Sequence, residues 1–355
     1  MNAPFSLSAG MLRQADLNDP AECARIEAFV AAHAEGSLFH RPAWLRAVER
    51  GTGQRSIGLL AEQGAGIAGW LPLSEMHSPV FGRALVSSPF AVGGGALAAS
   101  DGVALRLTAA SEELALRWSC ATVELRGGPV PWHWTRQADS HCGFIAPLAD
   151  DDEAQLLAIP RKQRAEVRKG LAVDLTIRVG RGEADRASHY AVYAESVRNL
   201  GTPVFPRSLF DAMMDEFGED VDILTIQHHG APVASVLSFY DRGAVMPYWG
   251  GGTLAARGLR ANDRMYFELM LHARRRGCTH FDFGRSKTDS GAYHFKRNWG
   301  FAPEPLLYGT WSAPGAPARD VDPASDRHAA RIALWKRLPL PVANRIGPFI
   351  ARGLG

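Results

Sequence analysis

The order of hydrophobic periods between residues 183 and 283 constrains the fold more tightly than any other feature of this 355-residue chain. Helical spacing at about 183–199 and 206–217 gives way to three runs that read as strands, VDILTIQH, PVASVLSFYD and AVMPYWGG. A long helical stretch at 259–276 and the strand THFDFG follow. Two helices, an antiparallel meander, a glycine turn, a helix and a further strand make a mixed α/β layer, a central sheet flanked by helices. The first half carries a rougher copy. An apolar segment near Met11 to Leu17 precedes a helix capped at Asn18 or Asp19, with Pro20 in its first turn. Short runs between Arg55 and Leu97, broken by Gly and Pro, suit antiparallel strands. An alanine-rich helix at 102–118 and the strand ATVELRG come next. No short repeat is present, so duplication at domain scale is the internal symmetry expected.

Composition narrows the class. With 46% hydrophobic and 21% charged residues the chain is globular, and its length suits two or three domains. A net charge of +2 provides no bulk field for polyanions, so any phosphate or nucleic-acid contact must come from a local basic patch. Cys23, Cys120, Cys142 and Cys278 are scattered without a CxxC pair, which points to free thiols in a reducing compartment. The N-terminal residues do not resemble a signal peptide, and no apolar run reaches spanning length. The expected location is the cytoplasm, with the inner face of the membrane as a working position.

The segment FDFGRSKTDSGAYHFKRNWGF, residues 281–301, carries the densest chemistry. A strand ends there and a polar, glycine-bearing loop runs into a short helix, a common place for sites. Asp282 alternates with Phe281 and Phe283, and Arg285, Lys287, Lys296 and Arg297 are expected to put cations around it. A carboxylate so placed can act as a general base or hold a substrate amine, and a lysine there can stabilise a tetrahedral oxyanion. An ordinary ion-pair network closing the strand end is the competing reading. Tyr293 is grouped with Asp282 and Lys296 as a catalytic candidate.

The run GRSKTDSGAYHFKRNWGF, with IPRKQRAEVRKGL and NLGTPVFPRSLF, resembles the FemAB-type transferases, particularly those associated with PEP-CTERM and exosortase polysaccharide systems. The likeness covers nearly the whole chain. It implies two GNAT-like (acyl-CoA N-acyltransferase-like) domains in tandem. The expected division is 1–150, a connecting basic helix and strand at 151–180, a second and catalytic domain at 181–315, and a tail at 316–355. Characterised members of the wider family move an amino acid from aminoacyl-tRNA to an amine on a lipid- or nucleotide-linked cell-wall (peptidoglycan) precursor. The exosortase-linked branch is assigned to acyl transfer by similarity. In the family the lysine of the FK-x-x-(F/W)G stretch is thought to stabilise the charged intermediate, which places that role on Lys296.

The stretch 253–277 stands where a GNAT enzyme keeps its pyrophosphate loop, and Arg257, Gly258 and Arg260 match it without the full glycine pattern. The alternative there is a capped amphipathic core helix. Arg161, Lys162 and Arg164, with Arg168 and Lys169, could grip a phosphate or the acceptor stem of a tRNA, or form a solvated helix face. Tyr248 and Trp249 could line an acceptor groove, although core packing is commoner for such residues. In VPWHWTR, Trp132, His133 and Trp134 alternate as a packing feature first and a glycan platform second. His141 and Cys142 point to opposite strand faces and make a poor Cys/His pair. His280 and Asp282 lack a third ligand, so no metal is expected.

The reading is therefore an acyltransferase, moving an acyl or aminoacyl group to form an amide or ester on a cell-envelope or exopolysaccharide precursor. It carries no covalently bound cofactor, and its donor is left between aminoacyl-tRNA and acyl-CoA. A CoA-dependent N-acetyltransferase and an inactive GNAT-fold binding component of polysaccharide biosynthesis or export are the alternatives. The tail, with Lys336, Arg337, Arg345 and Arg352 among apolar residues, either packs on the body or touches an anionic membrane surface as a peripheral contact.

Overall fold

The computed structural model describes residues 5–7, 10–78, 82–316 and 329–355. The chain divides into two compact units, the first made of Met1–Ala138, Leu306–Pro323 and Phe349–Gly355, the second of Asp139–Pro305 and Ala324–Pro348. The expected boundary after residue 150 is thus met earlier. The expected tail is shared, because Gln54 Nε2 in the first unit donates to the Arg352 carbonyl at 3.1 Å, while Arg198 Nη1 in the second reaches the Lys336 carbonyl at 3.3 Å.

Both units run through the same order of elements. In the first, the strand Gly10–Gln14 is followed by the helices Pro20–Ala32 and Pro42–Thr52. The antiparallel strands Arg55–Gln63, Gly66–Ser78 and Gly82–Ser87 come next, then the helix Asp101–Arg117 and the strand Thr122–Arg126. That last strand lies parallel to Gly82–Ser87, with Leu85 opposite Val123. In the second unit the order is Thr176–Gly180, the helices Glu183–Leu200 and Arg207–Phe217, and the meander Val221–His228, Ala231–Asp241 and Ala244–Gly252. The helix Ala261–Arg275 and the strand His280–Asp282 close it. Here too the last strand is parallel to the third of the meander. A crossover helix is what permits two parallel neighbours after a hairpin-linked meander.

Each sheet is completed by a strand distant in sequence. Tyr308–Ser312 pairs antiparallel with Thr122–Arg126 in the first unit, and Ile145–Pro147 pairs with His280–Asp282 in the second. Local signals are good where they exist. Asp19 caps its helix by accepting from the Ala21 amide, and Pro160 separates the helices Asp152–Ala158 and Arg161–Leu171. The long helix begins at Ala261 rather than 259, because Arg260 adopts a left-handed φ of 53° between it and the four-residue helix Ala256–Leu259. All four cysteines are buried and unbridged. Among the described residues no helix is long and apolar enough to cross a membrane.

In the first core Trp70 is fully buried and donates its Nε1–H to the His40 carbonyl at 2.8 Å. Its ring fills the space where a Cβ on Gly58 would stand, 1.9 Å from the nearest ring carbon. A ring fixed by its own hydrogen bond cannot retreat. Gly58→Ala is therefore expected to cost about 1–3 kcal/mol through overpacking, seen as a lower thermal midpoint. His40 and Arg41 serve the structure of the first unit. His40 sits between Ser37 Oγ and the Gly95 carbonyl, and Arg41 pairs with Glu27 at 2.5 Å.

Candidate active site

The strand His280–Asp282 belongs to the second unit, where Phe281 and the residue just past its end, Phe283, enter the core before Gly284, whose φ of 65° turns the chain out of the sheet. After the two-residue strand Ser286–Lys287 the chain re-forms as the helix Gly291–Asn298, whose first turn is fixed by Ser290 Oγ accepting from the Tyr293 amide at 3.2 Å. This return brings Lys296 back over the strand end. Its Nζ donates to the Arg285 carbonyl at 2.8 Å and the Gly284 carbonyl at 3.2 Å. The ammonium also lies 5.3 Å from the centre of the Phe144 ring and 6.0 Å from that of Phe283.

Lys296 is 9% exposed, unusual for a lysine, and burial is the main force that brings its pKa down to about 8. Asp282 attracts a proton to it and Arg285 repels one, both more weakly than the desolvation. Asp282 is subject to the mirror-image pressure. Burial raises its carboxyl above the usual range, against the Gly284 amide, which Oδ1 accepts at 2.7 Å, and against the field of Lys296; Glu304 adds to the rise. Both groups are thus held closer to their neutral forms than in water, and Lys296, at about 8, can exchange a proton near neutral pH.

Only part of the expected cluster of cations is realised. The field of Lys296 acts on Asp282 in the direction of ionisation. Lys287 is exposed on its short strand, in register with His141. Arg297 is exposed, with its guanidinium 5.8 Å from the Tyr293 ring centre, and Arg285 meets Lys296 through its main-chain carbonyl and through the repulsion of its charge. Tyr293 packs edge-on at 5.5 Å against Phe144, the ring that lies 5.3 Å from the lysine.

The residues read as donor- or acceptor-binding fare unevenly. Trp249 is 5% exposed and packs edge-on against Phe210 at 5.0 Å, which makes it core, and Tyr248 lies half-buried against Phe239 at 5.5 Å. Arg260 is ion-paired to Glu166 at 2.9 Å, which ties it to the helix Arg161–Leu171. Arg257 and Gly258 are exposed, and a Cβ on Gly258 would meet open space. The close approaches that require glycine come earlier, at Gly251 and Gly252, where a Cβ would stand 2.2 Å from Ser196 Oγ and 2.5 Å from Asn262 Oδ1. Arg161 and Lys162 are exposed in the first turn of their helix, where the dipole disfavours cations, and Arg164 is half-buried one turn on.

Sequence reasoning missed Phe144, which lies far from Lys296 in the chain and gives no local signal. It also missed Ser286, whose hydroxyl is buried without a partner among the described residues. Nor did it show that Ala244–Gly252 and His280–Asp282 are in register at only two pairs, Ala244 with His280 and Val245 with Phe281. Beyond Val245 that side of the longer strand has no ladder partner from its parallel neighbour.

Residues 160–297 match the family described as Acetyltransferase (GNAT) domain. No curated protein matches the sequence. Among solved structures, FemX superposes with a TM-score of 0.64 at 14% identity, over 85% of this chain and 97% of its own. A tandem GNAT protein from the clavulanic acid biosynthesis pathway gives 0.55 at 14% identity, over 87% of this chain and 100% of its own. The C-terminal domain of a protein named as a lysylphosphatidylglycerol synthetase, from Agrobacterium fabrum, gives 0.55 at 13%, over 83% and 93%. The chain is built of two GNAT-like units in tandem, each a mixed sheet flanked by helices.

Proposed function

We propose that the chain is an acyl- or aminoacyl-transferase that forms an amide or ester on a cell-envelope or exopolysaccharide precursor, working at the cytoplasmic face of the membrane, with its chemistry at Asp282 and Lys296. The observation that carries this reading is the state of the lysine. An ammonium has three N–H donors, and two of those on Lys296 are held by the Gly284 and Arg285 carbonyls. The third is fixed in direction, in a desolvated place, and suited to meet an oxygen that becomes negative.

In this reaction the acceptor amine or hydroxyl attacks the donor carbonyl. The carbonyl oxygen takes the electron pair beside Lys296 Nζ, and Asp282 takes the proton released by the acceptor. Collapse of the intermediate restores the carbonyl and expels the donor's thiol or ribose hydroxyl, which recovers the proton. Orientation by the turn at Gly284 contributes the rest. The basic turn Arg161, Lys162 and Arg164 supports a phosphate-bearing donor, since an anion there would relieve three cations at an unfavourable helix end. The unladdered edge of Ala244–Gly252 supports an extended donor arm with amides of its own. In the last helix, Leu340–Ala351, Val342 and Ile346 are exposed one turn apart with Arg345 between them, which favours peripheral contact with an anionic surface.

The donor is tested by incubating the purified chain separately with acyl-CoA and with charged tRNA and measuring saturable binding. The FemAB resemblance favours aminoacyl-tRNA, and tight CoA binding without tRNA affinity would reverse that choice. The pH profile tests the chemistry. The donating form of Lys296 is the ammonium, present below its pKa, so the rate is expected to fall as pH rises through about 8. The accepting form of Asp282 is the carboxylate, so the acid limb is expected above the ordinary aspartate range. A profile still rising well past pH 8 would show that the lysine acts as a free amine instead.

A further inference from the structure

The first unit carries an aromatic display that transfer chemistry does not use. Trp132 is 87% exposed, whereas Trp134, two residues on, is 4% exposed and donates its Nε1–H to Glu112 Oε1 at 2.7 Å. The turn between them is rigid. Pro129 and Pro131 limit its backbone, Val130 is buried beneath it, and Arg136 Nη2 donates to the Val130 carbonyl at 2.5 Å. On its N-terminal side Gly127, at φ 80°, donates to the Leu307 carbonyl at 3.0 Å. His133 meets the Trp132 ring edge-on at 5.5 Å and is itself tied to the Glu112 carboxylate at 2.9 Å. An indole held in water by a fixed turn, with its neighbours spent on structure, is a surface maintained at a cost in solubility.

Trp132 lines a concavity of about 350 Å³ in this unit, at the small end of the ligand-sized range of about 300–1,000 Å³. The walls are apolar, with Leu105, Pro131 and Leu307, and its charged groups are one carboxylate, Asp101, and one guanidinium, Arg136. We propose that this concavity is a carbohydrate-binding subsite, with the indole face of Trp132 taking the C–H face of a pyranose and Asp101 and Arg136 taking its hydroxyls. Charge favours this occupant over the other flat ligands an indole accepts. A nucleotide would bring phosphate up to Asp101, whereas a neutral ring with vicinal hydroxyls uses an acceptor and a donor together. A proline-rich peptide would use the apolar wall and leave both charges unanswered. The subsite stands on these contacts alone and does not depend on Asp282 or Lys296.

The test titrates the full chain with chitotetraose, cellotetraose and maltotetraose, following Trp fluorescence and saturation-transfer NMR, with uridine monophosphate and a proline-rich decapeptide as competing arms. The expected result is saturable binding of at least one tetrasaccharide, weakened about 10-fold or more by Trp132→Ala and several-fold by Asp101→Asn or Arg136→Gln, with Trp132→Phe retaining part of it. Trp132 and Asp101 are exposed, so an unchanged thermal midpoint is expected for those variants and confirms that folding is intact. No saturable binding by any of the three sugars overturns the proposal. So does sugar binding that survives Trp132→Ala, or saturation by the nucleotide or peptide while the sugars fail.

Discussion

Lys296→Met is expected to lower the transfer rate by about 100- to 1,000-fold, the scale for removing one fixed donor from a developing oxyanion. Methionine has nearly the length of lysine and no charge, and it fits a place walled by Phe144 and Phe283. The variant is expected to fold with a thermal midpoint no lower than the parent, because an ammonium whose pKa burial has brought down to about 8 is itself costly to hold there. The alkaline limb of the pH profile is expected to vanish with it. A binding component without catalytic function would show no transfer in the parent chain, and none for the substitution to remove. If transfer is measured and Lys296→Met leaves both rate and alkaline limb unchanged, the site assignment fails, whatever the donor.

The largest expected effect on stability lies elsewhere in the second unit. Asp222 is 3% exposed and accepts from Tyr240 Oη at 2.8 Å, His272 Nε2 at 2.9 Å and Arg276 Nη1 at 3.2 Å. The Arg276 guanidinium also covers the Tyr240 ring at 3.9 Å, and burial, reinforced by Asp222, pushes the Tyr240 phenol well above its ordinary pKa. One carboxylate thus joins the strand Val221–His228, its neighbour Ala231–Asp241 and the C-terminal end of the helix Ala261–Arg275. Asp222→Ala takes the acceptor from the Tyr240 hydroxyl, His272 Nε2 and Arg276 Nη1 and leaves the guanidinium without its counter-charge, although Nη2 keeps the Glu219 carbonyl at 2.6 Å, at an expected cost of about 3–5 kcal/mol. Asp222→Asn keeps an oxygen for the tyrosine and is expected to cost less. Urea unfolding followed by circular dichroism reads both, and equal midpoints for Asp222→Ala and the parent would refute the assignment.

The meander of the second unit was legible because each strand is a compact apolar run bounded by turn residues, so neighbours in sequence are neighbours in the sheet. The same reasoning placed a helix cap at Asn18 or Asp19, of which the structure uses Asp19, where one side chain decides the local outcome. It failed where partners are distant. Nothing in IAP announces that Ile145–Pro147 will lie against His280–Asp282, and nothing near Lys296 announces Phe144. At the candidate site, the loop and Lys296 could be named from the sequence, but their surroundings could not. Burial could not be read, and burial is what shifts the pKa of Asp282 and Lys296 while Lys287 and Arg297 stay exposed. The alternation in VPWHWTR gave the wrong periodicity for a turn. There Trp134 goes inward and Trp132 outward, which a strand reading would have placed on one face.

Because Tyr308–Ser312 joins Thr122–Arg126 on one side and Thr135–Gln137 on the other, the first sheet stays unfinished on a ribosome until residue 312 has emerged. A nascent fragment ending near residue 305 would present two raw strand edges, a template for pairing with its siblings. Expression of the N-terminal portion alone should therefore precipitate. Supplying residues 306–316 as a separate peptide would mend the gap only at high concentration, since a covalent tether is what makes that strand's local concentration large.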